Sequence, residues 1–340
     1  MKFNSVTLLV AAGLTSCLFH TAAAYADEVN VYSARQEELI KPLLDTFTVQ
    51  TGIKVNLITG NADELITRMR SEGRNSPADL LLTTDVGRLT RAKEQGVLQG
   101  VTSDKLVSAI PSTLRDTAGV WYGLTVRARP IMYVEGKVDP AQLSTMEDLA
   151  DPKWKGKICV RSSNNIYNQS HVASIIAHDG AAVAEQWAKG LVANFARPPQ
   201  GGDRDQIKAA AAGVCDIALA NTYYLAGMLT DPAEQAAAAK MRIFWPNQQD
   251  NGVHINISGA GVAAFAPNKA NALKLLEYMV EPEAQHWYAD VNNEYPVRSD
   301  VNISKVLEQF GRFKADELPL EQLGEFNAEA IRVMDRAGWR

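Results

Sequence analysis

Short apolar runs alternate with helical patterns along the first third of the chain. The runs predict strands over residues 29–32, 53–58 and 79–83, and the segments between them predict two amphipathic helices. We expect the first helix to end at Gly52 and to bend at Pro42, because proline removes a backbone donor from a helix interior. The residues predicted to face the core are Leu39, Leu43, Leu44 and Phe47 in the first helix and Leu65, Ile66 and Met69 in the second.

The rest of the chain continues this alternation and then returns to strands. Strands are predicted over residues 130–134, 215–220, 253–257 and 261–266, with helices between and after them. Such alternation is typical of an α/β protein with largely parallel sheets. We expect two α/β lobes, because the late strands follow a long helical region and look like a return to the first lobe.

The two expected lobes are joined where the chain crosses between them. The crossings are predicted near residues 124–129 and 251–256, and they leave a cleft in which a small ligand can bind. The expected division assigns residues 27–126 and 254–302 to an N-terminal lobe and residues 127–253 and 303–340 to a C-terminal lobe.

Composition supports a folded protein of this size. The chain has 340 residues, of which 46% are hydrophobic and 21% charged, so it can bury a large core and form about two domains. Its formal net charge of -5 provides no global basic field to hold phosphates. We therefore expect no nucleic-acid partner.

The first 26 residues have the pattern of an export signal. Lys2 precedes an apolar segment, and Ala24 and Ala26 supply the small residues of a cleavage site. We expect residues 1–26 to be removed and the mature chain to be periplasmic. The residues ending at Cys17 also resemble a bacterial lipobox, and the alternative is a lipid-anchored protein held at a membrane face.

Cys159 and Cys215 are the cysteines that remain after export. An oxidising compartment permits them to pair, and each lies at a strand-like apolar run, so we expect a disulfide. Two small buried thiols are the alternative. Neither cysteine has a second Cys or His at metal-site spacing, which argues against a zinc site.

Two tyrosines directly follow the predicted strand 215–220. Ligands bind beyond the carboxyl ends of strands in open α/β sheets, so Asn221-Thr222-Tyr223-Tyr224 is expected at the mouth of the cleft. A phenolate oxygen is a hard ligand suited to a highly charged cation. Adjacent tyrosines more often serve packing, and this pair alone favours a place in the core.

A second polar segment favours a place in the cleft for these tyrosines over a place in the core. Residues 161–170 follow the Cys159 strand and open a helix, which places Tyr167 at another strand-to-helix junction facing the same cleft. Backbone N–H groups at such a helix start also favour an anion. The alternative is an ordinary cap made by Ser163 or Asn164.

The sequence offers no convincing constellation of nucleophile and base. Residues 201–205 lack the terminal Gly-Lys-Ser/Thr of a phosphate-binding loop, and they are predicted to lead into a helix capped by Asp203. Glu37 and Glu38 are expected to be solvated. Nothing in these residues names a reaction, and an exported enzyme using the cleft stays an alternative.

Six segments occur in a specific order along the mature chain: residues 31–35, 76–85 and 123–129, the segment around Tyr167, residues 199–204, and Asn221-Thr222-Tyr223-Tyr224. In these segments the chain resembles the periplasmic ferric-ion-binding proteins, which are the extracytoplasmic components of ABC iron importers. The resemblance implies a two-lobed, type II periplasmic-binding-protein-like fold with an interlobe cleft and two crossover strands.

The resemblance also implies a set of iron ligands. Tyr223 and Tyr224 are expected to bind Fe3+, and Tyr167 matches the third tyrosine used by one branch of the family. In that branch a synergistic anion such as carbonate completes the iron shell. An arginine helps to hold that anion, and we expect Arg127 in this role, with Arg129 as the second choice.

The chain departs from several relatives of this family at the first strand. Those relatives place a histidine directly after the first-strand arginine, whereas this chain has Gln36 and then Glu37. The resemblance is therefore nearest to the all-tyrosine branch. Gln36, Tyr32 and Asp85 are candidates to line the first-lobe wall of the cleft, and each also fits an ordinary place at a strand end.

The resemblance implies a role in transport. It predicts a monomeric binding protein that captures Fe3+ and delivers it to an ABC permease in the inner membrane. The alternative within transport is a binding protein for a small organic or oxyanionic solute, in which the tyrosines stack or donate hydrogen bonds instead of coordinating a metal.

Overall fold

The computed structural model describes residues 27–340. The expected signal peptide and Cys17 lie outside these residues. Over the described range, no helix combines the length and the apolar character needed to cross a bilayer.

Strands and helices alternate through the described residues. The strands are β1 Glu28–Ser33, β2 Lys54–Thr59, β3 Leu80–Thr84, β4 Leu98–Gln99, β5 Tyr122–Ala128, β6 Ile131–Val134, β7 Ile158–Cys159, β8 Ile217–Leu219, β9 Met241–Phe244, β10 Ile255–Ala263 and β11 Tyr295–Pro296. The α-helices are α1 Lys41–Thr51, α2 Ala62–Glu72, α3 Val86–Glu94, α4 Asp104–Ala109, α5 Ile166–Asp179, α6 Ala181–Ala193, α7 Asp203–Ala211, α8 Thr222–Thr230, α9 Gln235–Ala238, α10 Lys269–Tyr278, α11 Pro282–Asn292, α12 Lys305–Gln309, α13 Glu321–Glu325 and α14 Asn327–Arg336.

A seven-stranded sheet forms the first lobe, with the order β11-β5-β10-β3-β1-β2 and with β4 paired to β10. Strand β1 runs parallel to β2 and β3, whereas β10 runs antiparallel to β3 and β5. Strands β1 to β5 come from the first part of the chain and β10 and β11 from its last part. The chain therefore returns to its first lobe, as the late strands predict.

A four-stranded sheet, β7-β8-β6-β9, forms the second lobe. Strands β7 and β8 are parallel, with Cys159 opposite Ala218, whereas β6 runs antiparallel to both β8 and β9. The α/β class and the two lobes are confirmed, but the expectation of largely parallel sheets is wrong. Strands that carry the chain between the lobes enter each sheet in the reverse direction.

The two crossings lie side by side. Strand β5 leads through Arg129 into β6 of the other sheet, and β9 leads back through His254 into β10. The Arg129 backbone N–H donates to the His254 carbonyl at 3.0 Å, so the crossing segments hold each other at the base of the cleft. The expected lobe boundary after residue 126 falls inside β5, since Arg127 still pairs with Asn256.

The first helix begins and ends for local reasons. Helix α1 ends at Gly52, which adopts a φ of 74° and donates its N–H to the Thr48 carbonyl. Contrary to the prediction, Pro42 does not interrupt the interior of this helix. It is the second helical residue, where its missing N–H is already one of the unpaired donors of a helix start.

A disulfide joins Cys159 in β7 to Cys215, two residues before β8, with a Cα–Cα distance of 5.9 Å. The predicted disulfide is therefore present. It links residue 159, ahead of Tyr167, to residue 215, ahead of Tyr223 and Tyr224.

The carboxyl-terminal helices contact both lobes. Helix α14 packs on α5 and α6 of the second lobe, whereas α13 packs on α3 of the first lobe as well as on α5. A Cβ atom at Gly324 in α13 would overlap the Thr90 side chain, so only glycine permits this close approach to α3. The end of the chain thus braces the two lobes on one side.

Candidate metal-binding site

Three tyrosines come together because two parallel strands end at the same edge of the smaller sheet. Strand β7 leads to α5, whose second residue is Tyr167, and β8 leads to α8, whose second and third residues are Tyr223 and Tyr224. Since β7 and β8 are neighbours in register, the first turns of the two helices lie together. The structure therefore places Tyr167, Tyr223 and Tyr224 as one group.

The phenols face a cavity between the lobes. The Tyr223 hydroxyl donates to the Tyr167 hydroxyl at 3.3 Å, and the Tyr223 and Tyr224 ring centroids lie 4.2 Å apart. All three side chains are partly buried. The cavity has a volume of about 260 Å³ and is lined by Ala34, Arg35, Gln36, Leu39, Thr84, Arg88, Tyr167, Tyr223, Tyr224, Asn292 and Glu294.

The phenol protons are held tightly in this site. Burial raises the pKa of Tyr223 well above its ordinary value, and the nearby Tyr167 and Tyr224 phenols raise it further. Burial and the Tyr167 phenol likewise raise the pKa of Tyr224. These phenols are therefore protonated at neutral pH, and they become phenolates only when a cation displaces the protons.

Backbone charge favours that change. The tyrosines lie in the first turns of α5 and α8, where unpaired N–H groups give each helix start a partial positive charge. A phenolate at either start is stabilised by this field. Within residues 27–340, no group of three or more His, Cys, Asp and Glu side chains is arranged to hold a metal ion. The phenols are the candidate ligands for a cation because they face the cavity from these helix starts.

The opposite wall of the cavity is rich in arginine. Arg35 and Arg88 line it, together with Gln36 and the buried carboxylate of Glu294. Glu294 is ion-paired with Arg35 at 3.1 Å and accepts a hydrogen bond from Arg127 at 2.5 Å. Burial alone would raise the pKa of Glu294, but these two guanidinium groups outweigh burial and lower it. The Glu294 carboxylate is therefore already neutralised by two arginine side chains.

Arg127 lies behind the tyrosines and is almost fully buried. Its guanidinium carbon is 5.4 Å from the centroid of the Tyr223 ring. One terminal nitrogen donates to Glu294 and Ser258, while Nε and Nη1 have no protein partner. Arg127 does not line the cavity in this arrangement. Its two unpartnered nitrogens are nevertheless donors at the back of the tyrosine cluster.

Arg129, the second choice for the arginine that holds the anion and also a candidate to line the cleft, does not line the cavity. Its Nη1 donates to Asn221 at 3.1 Å and its Nη2 to Asn168 at 2.5 Å, and it is paired with Asp203. Asn168 follows Tyr167, and Asn221 comes two residues before Tyr223. Arg129 thus ties together the two segments that carry the phenols.

Asp203 has a different role from the predicted one. It is the first residue of α7, preceded by Gly202 as the N-cap, and Asp205 accepts from the Gly202 N–H at 2.7 Å. The prediction that Asp203 caps this helix is therefore wrong. Its carboxylate instead pairs with Arg129 and Arg161, because both guanidinium groups reach the buried start of α7.

The three candidates for the first-lobe wall have different positions. Gln36 lines the cavity. Tyr32 does not, because its side chain points to the far face of β1, where its hydroxyl donates to Glu72 at 3.1 Å. Asp85 does not line the cavity either; it is fully buried between the lobes, where it accepts from Ser170 at 2.6 Å.

Sequence reasoning did not find Arg35, Arg88 or Glu294 as site residues. Arg35 directly precedes Gln36 at the end of the first strand, so its position in the chain was a usable signal. Glu294 reaches the site because β11 pairs with β5, which places it beside Arg127. A pairing between such short, distant strands leaves no pattern in the sequence.

Comparison with known proteins gives a consistent result. Residues 43–315 match the model of the bacterial extracellular solute-binding protein family. The chain is 49% identical over 335 residues to iron uptake protein A1 of Synechocystis. The aligned region covers 96% of this chain and 93% of that protein.

Solved structures agree with this match. The Trichodesmium protein IdiA, also called FutA, in complex with iron and citrate has a TM-score of 0.89 and 54% identity, covering 92% of this chain and 100% of that one. The ferric binding protein of Campylobacter jejuni has a TM-score of 0.87 and 40% identity, with the same coverage. The resemblance to ferric-ion-binding proteins is therefore confirmed, and the chain belongs to the family of bacterial extracellular solute-binding proteins.

Proposed function

We propose that this chain captures ferric iron in the interlobe cleft with Tyr167, Tyr223 and Tyr224 and delivers it from the periplasm, as a monomer, to an ABC permease in the inner membrane. The observation that carries the proposal is the convergence of three phenols at one cleft wall. Phenolate oxygens are hard, anionic donors that match a hard, triply charged cation. The iron-uptake and ferric-binding names of the relatives support the same cargo.

We further propose that a synergistic anion such as carbonate completes the iron shell. Ferric ion with three phenolates is formally neutral, so a carbonate makes the centre doubly negative, and a buried centre of that charge needs cationic compensation. Arg127 supplies it from behind Tyr223 through its unpartnered Nε and Nη1, and Arg35 supplies it from the opposite wall. Citrate beside iron in the Trichodesmium relative supports an oxygen-donor anion.

Arg35 and Arg88 also favour a second candidate function. Two guanidinium groups in a cavity of this size suit a small oxyanionic solute bound without metal, with the tyrosines donating hydrogen bonds to it. Under that function, iron would not be needed for binding.

Native mass spectrometry of metal-stripped protein distinguishes the two functions. The protein is incubated with one equivalent of a weakly chelated ferric salt, with and without bicarbonate. We expect one iron and one carbonate per chain when bicarbonate is present, and little iron retained when no anion is supplied. Iron retained without any anion would overturn the anion assignment, and failure to retain iron under either condition would overturn the ferric function.

A further inference from the structure

One carboxylate connects the two lobes beneath the tyrosine cluster. Asp85 lies in the loop between β3 and α3 and is fully buried. One of its oxygens accepts from the Ser170 hydroxyl at 2.6 Å and from the Gly87 N–H at 2.9 Å. The other oxygen accepts from the Asn256 side-chain amide at 2.9 Å.

The donors come from different parts of the molecule. Asn256 lies on β10, the strand that carries the chain back into the first lobe, and Ser170 lies on α5 of the second lobe. The Asn256 side-chain oxygen also accepts from the Val86 N–H at 2.9 Å. Asp85 is thus fixed to the first lobe on one side and reaches the second lobe through Ser170.

Ser170 is one helical turn beyond Tyr167 on α5. Residues three apart lie on the same face of a helix, so the face that presents Tyr167 to the cavity also presents Ser170 to Asp85. Helices α3 and α5 approach each other closely here. A Cβ atom on Gly87 in α3 would lie 3.3 Å from the Cδ1 atom of Ile166 in α5. The distance between Tyr167 and the opposite wall therefore depends on this contact.

The backbone of Asp85 is held in an uncommon conformation. Its φ is 77° and its ψ is 128°, a positive-φ combination that non-glycine residues rarely adopt. Such a conformation persists only where surrounding contacts over-determine it, and it often marks a functional position. Here the three donors to the carboxylate supply those contacts.

We propose that Asp85, Ser170 and Asn256 form an interlobe latch that holds the Tyr167 helix against the first lobe and slows release of the bound cargo. The latch rests on the proposed function only for the identity of that cargo. Asp85 and Ser170 are positioning residues, because neither lines the cavity. The latch acts by keeping the lobes together while the phenols hold the ion.

Ser170→Ala tests the latch with little change in volume. Its matched control is Ser174→Ala, one turn further along α5, where the hydroxyl is also buried but donates only to the His171 carbonyl at 2.7 Å. Small-angle scattering of the metal-free proteins is the first measurement, since it needs no iron. We expect Ser170→Ala to have a larger radius of gyration than the wild-type protein, and Ser174→Ala to match the wild type.

The second measurement is the rate at which ferric-loaded protein loses iron to a competing chelator. Ser170→Ala removes a hydrogen bond to a buried carboxylate, so we expect release about tenfold faster. Equal scattering and equal release for Ser170→Ala and Ser174→Ala would overturn the latch. Expansion of Ser170→Ala without faster release would overturn its link to the cargo.

Asp85→Asn provides a second variant if Ser170→Ala folds poorly. Asparagine has nearly the same size as aspartate and still accepts from Ser170, but its own amide group then faces the Asn256 amide. We expect expansion and faster release in this variant too, and wild-type behaviour in both measurements would overturn the latch. Absence of iron binding in the wild-type protein would overturn the ferric function, while scattering would still decide the latch.

Discussion

The two walls of the cleft are built from different chemistry. The wall from the smaller sheet presents Tyr167, Tyr223 and Tyr224 at the starts of two helices. The wall from the larger sheet presents Arg35 and Arg88, and no phenol from it reaches the cavity lining. Both walls belong to the same cavity, so their different chemistry should match different parts of the ligand that binds between them.

This difference suggests a division of roles. A cation needs donors that can become anionic, and the smaller-sheet wall supplies three phenols. An accompanying anion needs donors that stay positive, and guanidinium groups remain charged at any physiological pH. The cleft thus has a cation-binding wall and an anion-binding wall, with Arg127 as the cation behind the phenols.

Removing a phenol should break the cation-binding wall and have the largest effect. We expect Tyr223→Phe and Tyr224→Phe to fold normally and to bind ferric iron at least about a hundredfold more weakly, because losing a metal ligand exceeds the roughly 10–100-fold cost of losing an outer-shell partner. Competition with a chelator of known affinity measures this loss.

The control for the phenol variants is Tyr32→Phe, which removes a buried hydroxyl that bonds to Glu72 on the far side of the sheet. It should leave iron affinity unchanged. Undiminished affinity in both Tyr223→Phe and Tyr224→Phe would show that the smaller-sheet wall does not bind the ion.

Among changes of solution rather than of residue, acidification should weaken iron binding most strongly. The pKa values of Tyr223 and Tyr224 are raised by burial, so their protons stay bound across the neutral range and iron must displace them. Binding therefore strengthens as pH rises and weakens as pH falls, by up to about a thousandfold per pH unit if three protons leave. Counting the protons released per bound iron tests this; release of fewer than about two would contradict coordination by all three phenols.

Removing the positive charge of Arg127 should have a smaller effect on iron retention, and this effect should depend on whether the anion is present. We expect Arg127→Ala to weaken iron retention by about tenfold in bicarbonate and by much less without it, because its positive charge behind the Tyr223 ring compensates the doubly negative centre that forms with carbonate. Iron retention is measured against a chelator under both conditions. Arg70→Ala on the exposed face of α2 is the control for loss of one positive charge, and an identical bicarbonate dependence in all three proteins would exclude Arg127 from anion binding.

Local features of the fold were the most predictable from sequence. The helical spacing of Leu43, Leu44 and Phe47 and the following Gly52 give α1 its buried face and its end, because both depend on neighbouring residues. Strand direction was not predictable in the same way. The orientation of β6 and β10 depends on the path of the chain between lobes, which residue pattern does not encode.

The candidate site divides along the same line. The position of Tyr167, Tyr223 and Tyr224 at the cleft was predicted because each lies where a strand leads into a helix, which is a local signal. Their role as ligands was implied by the resemblance to ferric-ion-binding proteins. The environment of Arg127 was not predictable, because Glu294 is brought beside it by strand pairing over a long sequence separation. The prediction that Tyr32 lines the cleft is wrong, because alternation along β1 directs its side chain to the face opposite the cleft.

The most direct test of the two-wall account is a visible absorption titration of metal-stripped protein with a weakly chelated ferric salt, with and without bicarbonate. The account predicts a phenolate-to-iron charge-transfer band that saturates at one equivalent and is stronger or more stable with bicarbonate. Absence of the band at saturating iron would contradict coordination by the tyrosine wall.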